Sequence, residues 1–369
     1  MRKAMRKKNS LKLWMASAIL FSLFISCGQD RRERVDGEVL MVEEQGSFLA
    51  GGAAVTTPGI YNENDPTNPA GQTLHGDHAY VFYQKPLHAR KYPLVFLHGN
   101  GESSKTWETT PDGREGFQNI FLRLGFSVYL VDQPRRGKAG RSMVSDSISV
   151  LPEEAFQFEI FRLGIWPEFF PDVQFPKDPQ SLEQFMRQIT PNTGAFDKHV
   201  VADAMSAVFD RTGEGVLVTH SMGGGPGWLT VIRNPKVRAV VAYEPGSSFI
   251  FPKGEVPAPM PTSCPYGALT ADSVSLEQFT SLTRIPIIIY YGDNIPKEPT
   301  EHWGQDTWRV RLAMARLFAE CINRHGGDAK VVHLPEIGIK GNTHFLFSDL
   351  NNLEISDLMF DFLHEKGLD

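Results

Sequence analysis

The feature that most limits what this chain can fold into is a series of short, almost wholly apolar segments beginning near residue 92. Pro93 to Leu97, Ser127 to Val131, Val216 to Thr219, Ala239 to Tyr243, Ile285 to Tyr291 and Ala329 to Leu334 are separated by stretches long enough for helices. A strand buried on both faces has no solvent side and shows no alternation, so these runs predict a mostly parallel sheet sandwiched by helices. The helices are expected over Phe117 to Leu124, His199 to Phe209, Trp228 to Ile232, Trp303 to Arg324 and Leu353 to Leu363. Apolar residues recur there at helical spacing, as in Val310, Met314, Leu317, Phe318 and Cys321. Upstream, Val35 to Val42, Ser47 to Ala54 and Ala79 to Tyr83 read as strands, with no helix between the first two, which makes them antiparallel edge strands. Gly51-Gly52 would close the second, and Pro58 to Gly71 is loop. The expected fold class is therefore α/β, and 369 residues with 41% hydrophobic side chains suffice for one such domain over 35–369.

One interval breaks the rhythm. Between Asp132 and His199 the chain spends far more residues than a crossover needs. Phe156, Phe158, Phe161, Trp166, Phe169, Phe170 and Phe175 crowd a span interrupted by Pro167, Pro171 and Pro176. An insertion over about 143–198 is expected to form a cap whose aromatic underside lines an apolar pocket, rather than one more layer of core.

The N-terminus has a different character. Arg2, Lys3, Arg6, Lys7, Lys8 and Lys12 precede an apolar run from Leu13 to Ile25, shorter than the roughly 20 residues a spanning helix needs. This is the pattern of an export signal. Phe24-Ile25-Ser26-Cys27 resembles the lipobox of bacterial lipoproteins, which implies a signal peptide over 1–26, acylation of Cys27 and a polar tether over 27–34. The expected location is periplasmic or cell-surface, anchored to a membrane through Cys27. Loss of 1–26 moves the formal charge from -6 to -12, with 31 basic against 43 acidic residues. So acidic a surface lacks the field that nucleic acids require. Cys264 and Cys321 could pair in an oxidising compartment, but their spacing suggests no metal cluster.

The sharpest chemical feature is Val216-Leu217-Val218-Thr219-His220-Ser221-Met222-Gly223-Gly224-Gly225. A strand that runs into serine and then glycine, followed by a helix, has the form of a nucleophile elbow, a strained turn that exposes the hydroxyl. Gly223 fits the crowded second position, while Thr219 replaces the usual first glycine. A hydroxyl needs a base. His344, in Gly341-Asn342-Thr343-His344 after the last strand, is the candidate, and the adjacent His220 is expected to point elsewhere. For the acid that orients the imidazole, Asp293 after Ile285 to Tyr291 and Glu244 after Ala239 to Tyr243 are both open. Oxyanion donors are expected from the backbone N–H of Met222 and from Asn100 in His98-Gly99-Asn100-Gly101-Glu102.

Together the His-Gly loop, Asp132 followed by Gln-Pro-Arg-Arg-Gly, the serine elbow and the late histidine resemble the α/β-hydrolase superfamily over 90–367. Trp107 to Arg114, Tyr243-Glu244-Pro245-Gly246, Gly341 to His344 and the tail from Asp349 through Phe362 resemble a branch of bacterial periplasmic esterases. That resemblance implies a Ser-Glu-His triad with Glu244 as the acid, ahead of Asp293, and hydrolysis of carboxylic esters without metal or organic cofactor. The chain departs from the branch at Asn100-Gly101, where the branch carries adjacent cysteines, so the rigidity of a vicinal disulfide does not carry over. The expected reaction is acyl transfer from a small-molecule ester through an acyl-enzyme. An amidase, thioesterase or lactonase on the same triad, or a catalytically silent binding lipoprotein, are the alternatives.

Overall fold

An eight-stranded sheet organises the molecule, seen in a computed structural model that describes residues 39–148 and 150–369. Its strands are β1 (Val42–Thr56), β2 (Thr73–Pro86), β3 (Leu94–Leu97), β4 (Val128–Asp132), β5 (Gly215–His220), β6 (Val237–Tyr243), β7 (Pro286–Tyr291) and β8 (Asp328–His333). They lie in the order β1-β2-β4-β3-β5-β6-β7-β8. From β4 to β8 every pairing is parallel, while β2 joins both β1 and β4 antiparallel. All six apolar runs of the sequence thus became strands. Proteins of this architecture bind ligands where neighbouring strands send their connections to opposite sides. Here that point lies between β3 and β5, whose carboxyl ends lead into Asn100 and Ser221.

The helices are α1 (Phe117–Arg123), α2 (Glu154–Ile160), α3 (Pro179–Arg187), α4 (Lys198–Thr212), α5 (Gly224–Arg233), α6 (Leu276–Thr280), α7 (Trp303–Arg324) and α8 (Asn352–Glu365). Alternate residues of each central strand serve opposite faces. Val95, Leu97, Leu217 and Val240 pack with Met205, Trp228 and Phe318 of α4, α5 and α7. Leu94, Phe96, Val216 and Val241 pack with Phe121 and Met359 of α1 and α8. Both faces are dry, which is why the strands carry no polar alternation.

The edge differs from expectation in two respects: Val42 and Ser47 to Ala54 lie in the single strand β1, whose antiparallel partner is β2, so they are not an antiparallel pair, and the glycine pair does not end the strand. Ser47 to Ala54 does not stop at Gly51-Gly52, since β1 runs through the pair to Thr56. Both glycines have positive φ, and a β-carbon on Gly52 would meet Gly76 O at 2.5 Å, so they let β1 bend closely against β2. Of the earlier expected strand, Val42 belongs to β1, Val39 to Met41 have no regular structure, and the rest lies outside the described residues. So do the signal segment, Cys27 and the tether. Among the described residues no helix is long and apolar enough to cross a membrane.

Between β4 and α4 lie α2, a two-residue hairpin (Gly164–Ile165 with Glu168–Phe169) and α3, capped by Asp178, whose carboxylate accepts from Ser181 N at 2.9 Å. The aromatic residues of this insertion divide. Phe158 and Phe175 join the core beside Phe185, Phe156 faces a cavity described below, and Phe161 packs on Phe185 and also faces that cavity.

Candidate active site

At the end of β5 the chain enters Ser221 with φ of 51°, a left-handed conformation that non-glycine residues adopt at a cost. The turn is tight because a β-carbon on Gly223 would lie 2.6 Å from His98 O. Thr219 is tolerated at the position usually held by glycine because Gly227 of α5 faces it; a β-carbon there would sit 2.8 Å from Thr219 Cγ2. The usual vacancy has moved from the strand to the helix. Ser221 lines a cavity of about 230 Å³ with Asn100, Met222, Phe156, Phe161, Trp308 and His344. Another cleft, lined by Tyr290, Lys330 and Phe362 at the β8 edge, contains none of these groups.

His344 is buried and its ring is fixed on several sides. Nδ1 lies 2.6 Å from Glu244 Oε2, Phe161 stacks at 5.4 Å and 11°, and Trp308 lies 4.2 Å away between ring centroids. Its backbone N–H donates to Phe161 O at 2.9 Å. This burial, aided by the neighbouring His220, pushes the imidazole down to about 3, so it is neutral at ordinary pH. Burial pushes the Glu244 carboxyl the other way, but the Arg162 guanidinium and the His344 hydrogen bond prevail and hold it at about 2. Glu244 Oε1 accepts from Gly292 N at 2.6 Å and pairs with Arg162. A neutral ring beside a fixed anion can take up a proton and be stabilised as it does so.

Asp293 stands nearby with a different attachment. Its carboxylate accepts from Gly341 N at 2.8 Å and from Asn294 N at 2.6 Å, and its own N–H donates to Asn342 O at 2.8 Å. It ties down the loop that carries His344, while Glu244 bonds the ring.

The loop after β3 is held from beneath. His98 Nδ1 lies 2.9 Å from Gly99 O and Nε2 accepts from Gln133 N at 3.2 Å, which makes the residue a brace. Glu102 accepts from Gly99 N at 3.2 Å, and both its oxygens lie within 3.0 Å of His220 Nδ1. His220 Nε2 donates to His344 O at 2.9 Å, so a buried Glu102-His220 pair joins the β3 loop to the backbone of the late histidine. Asn100 Oδ1 accepts from Arg136 at 3.2 Å.

Several of these residues went unnoticed in the sequence. Arg162, fully buried, was hidden in the aromatic insertion, although it is the lone basic residue between Arg141 and Lys177 and therefore had a signal. Trp308 looked like one more apolar helix position. Asp349 is buried, accepts from Thr343 N at 2.7 Å and Thr343 Oγ1 at 2.8 Å, and is pushed by burial up to about 7. Arg114 donates to Ser348 O at 3.1 Å and Asp349 O at 3.0 Å, which joins the two separated segments Trp107 to Arg114 and Asp349 onward. Cys264 and Cys321 are both free thiols. Cys321 stands with Glu255 and His325, ligand atoms within 4.8 Å of one another, a grouping that cysteine spacing did not signal.

A parallel sheet with a serine at its topological switch point and a buried histidine-carboxylate pair defines a hydrolase class, and the chain belongs to the alpha/beta hydrolase family, whose model matches residues 94–339. Members of this family act on small-molecule substrates. The chain is 29% identical to a solved bacterial protein described as a novel bacterial esterase, with a TM-score of 0.71 over 90% of this chain and 98% of that one. It is also similar to a protein described as a probable secreted lipase, phiG, of a fungal species (strain ATCC 74256), 27% identical over 303 residues, covering 74% of this chain and 82% of the other.

Proposed function

We propose that the protein is an exported serine hydrolase of carboxylic esters. Ser221 Oγ attacks the ester carbonyl while His344 Nε2 takes its proton. Glu244 holds Nδ1 and offsets the charge that develops on the ring. The carbonyl oxygen becomes an oxyanion received by the N–H groups of Met222 and Asn100. His344 returns the proton to the departing alcohol, and the acyl group stays on Ser221. Water, deprotonated by His344, attacks the acyl-enzyme and releases the acid. The insertion over about 143–198 acts as a cap, with Phe156 and Phe161 facing the substrate.

The observation that carries this reading is the 2.6 Å contact between His344 Nδ1 and Glu244 at a cavity shared with a serine of left-handed backbone. The esterase and lipase relatives favour an ester over an amide or thioester. Export rests on the basic and apolar leader and on the secreted relative, and anchoring through Cys27 on the lipobox-like segment. The test is labelling with a fluorophosphonate followed by peptide mapping. Label confined to Ser221, lost in Ser221→Ala and strongly slowed in folded His344→Ala, is expected. Label on another residue overturns the assignment. Mass spectrometry of the mature N-terminus tests Cys27, and an unmodified cysteine there removes the anchor.

A further inference from the structure

Arg311 of α7 stands on the wall of the cavity that holds Ser221 and His344, and on the wall of an adjoining polar cavity. Its guanidinium lies 4.7 Å from the ring of Trp308. Nε donates to Gly246 O at 2.5 Å and Nη1 to the Thr307 hydroxyl, both uncharged acceptors. Among the described residues it has no carboxylate partner. The neighbouring anions are engaged elsewhere: Glu244 with Arg162 and His344, Glu102 with His220, and Asp272 with Lys198 at 2.5 Å. Arg136 adds a second deep cation whose bonded partners are neutral. Among the described residues, two guanidiniums without a bonded carboxylate thus stand near Ser221, Arg311 on the cavity wall and Arg136 against Asn100.

A cation half-buried in a cleft without a counter-ion has lost part of its hydration, and the cost is offset when a ligand brings the anion. Position supports such a ligand. A β-carbon on Gly246 would lie 3.6 Å from both Ser221 Oγ and Arg311 Nε, so the two groups face each other across the width of one absent side chain. Ser247, Thr262 and Thr270 line the polar cavity beside Arg311 and can bond the oxygens that the guanidinium leaves free. The guanidinium carries one positive charge and its Nε already donates to Gly246 O, so the two oxygens of a singly charged carboxylate match it better than a doubly charged phosphate. We infer that Arg311 is a specificity residue and that the substrates are esters bearing a carboxylate a few atoms from the scissile carbonyl. The inference rests on Ser221 being the nucleophile proposed above.

The experiment compares kcat/KM for two matched pairs, one with the charge on the acyl side and one on the alcohol side. They are the p-nitrophenyl monoester of glutarate against its neutral methyl ester, and 4-carboxyphenyl butyrate against its neutral methyl ester. In at least one pair the carboxylate member is expected to be preferred by the wild type. Arg311→Met should lower kcat/KM for that member about 10- to 100-fold more than for its neutral partner, the range for a hydrogen bond to a charged group. Arg311→Lys should recover part of the difference. Without any variant, free glutarate should inhibit competitively where 1,5-pentanediol does not. No preference in either pair overturns the inference, as does an equal loss on both members in Arg311→Met, which would make the residue a clamp for the Gly246 carbonyl. Turnover that survives Ser221→Ala refutes the nucleophile assignment and the inference with it.

Discussion

Replacing Arg162 with methionine removes a guanidinium that is paired with Glu244 in a site where both side chains are fully buried. Deleting one partner of such a pair costs about 3 to 5 kcal/mol, because the remaining charge stays out of water without compensation. Here Glu244 keeps its bonds to Gly292 N and His344, each at 2.6 Å, and beyond the pair itself Arg162 gives up its Nε bond to Asp293 O at 2.8 Å, its Nη1 having no hydrogen-bond partner among the described residues. The bonds that Glu244 keeps place the expected loss at the lower end, about 3 kcal/mol. Glu244→Gln should cost a similar amount by stranding Arg162. The double variant strands neither charge and should be about 2 kcal/mol more stable than the sum of the single losses predicts. Urea denaturation followed by tryptophan fluorescence reads this as shifts in midpoint at constant slope. A cost for Arg162→Met below about 1 kcal/mol, or additive single losses, would refute the view that this pair is the electrostatic anchor of the site.

Other consequences are equally direct. Glu244→Gln should lower kcat by a factor on the order of 10³ to 10⁴, whereas Asp293→Asn, which only loosens the histidine loop, should stay within about tenfold; the reverse order would make Asp293 the acid. Gly227→Ala drives a methyl into Thr219 and should destabilise by about 1 to 3 kcal/mol, with Thr219→Gly restoring most of the loss in thermal melts. Because His344 is held near 3, it stays unprotonated well below the ordinary histidine value of about 6.5, so the acid limb of kcat/KM should fall below that value. For stability the sign follows from proton uptake: the unfolded chain protonates this histidine first, so its contribution is complete above about 6.5 and is lost as pH falls towards 3. Phe158→Ala should destabilise by about 3 to 5 kcal/mol, while Phe156→Ala should instead change acyl-length preference; unchanged selectivity in the latter would count against a substrate-facing cap.

The sequence was legible wherever a local rule was enough. Six apolar runs became the strands from β3 to β8 within a residue or two, because double-sided burial leaves a mark in every residue of the strand. Ser221 was legible for a similar reason, since strand, serine, glycine and helix are consecutive. Gly51-Gly52 misled because glycine both ends strands and lets them bend, and only the partner strand decides which. The insertion was recognised by length and aromatic content, yet its division between Phe158 in the core and Phe156 at the cavity depends on which side of α2 meets Trp166 and Phe169 of the insertion.

What the amino-acid order determined by itself was the architecture and the presence of a serine at a strand's end, because both follow from interactions among neighbours in the chain. Only the tertiary structure decided which carboxylate meets the imidazole. Glu244 and Asp293 follow adjacent strands and look alike in sequence, but a hydrogen bond depends on angstroms across a gap of 100 residues. Burial decided the rest: it made Arg162 a counter-ion to Glu244 and keeps the His344 imidazole neutral, since a group's charge acquires its strength from the water it has lost.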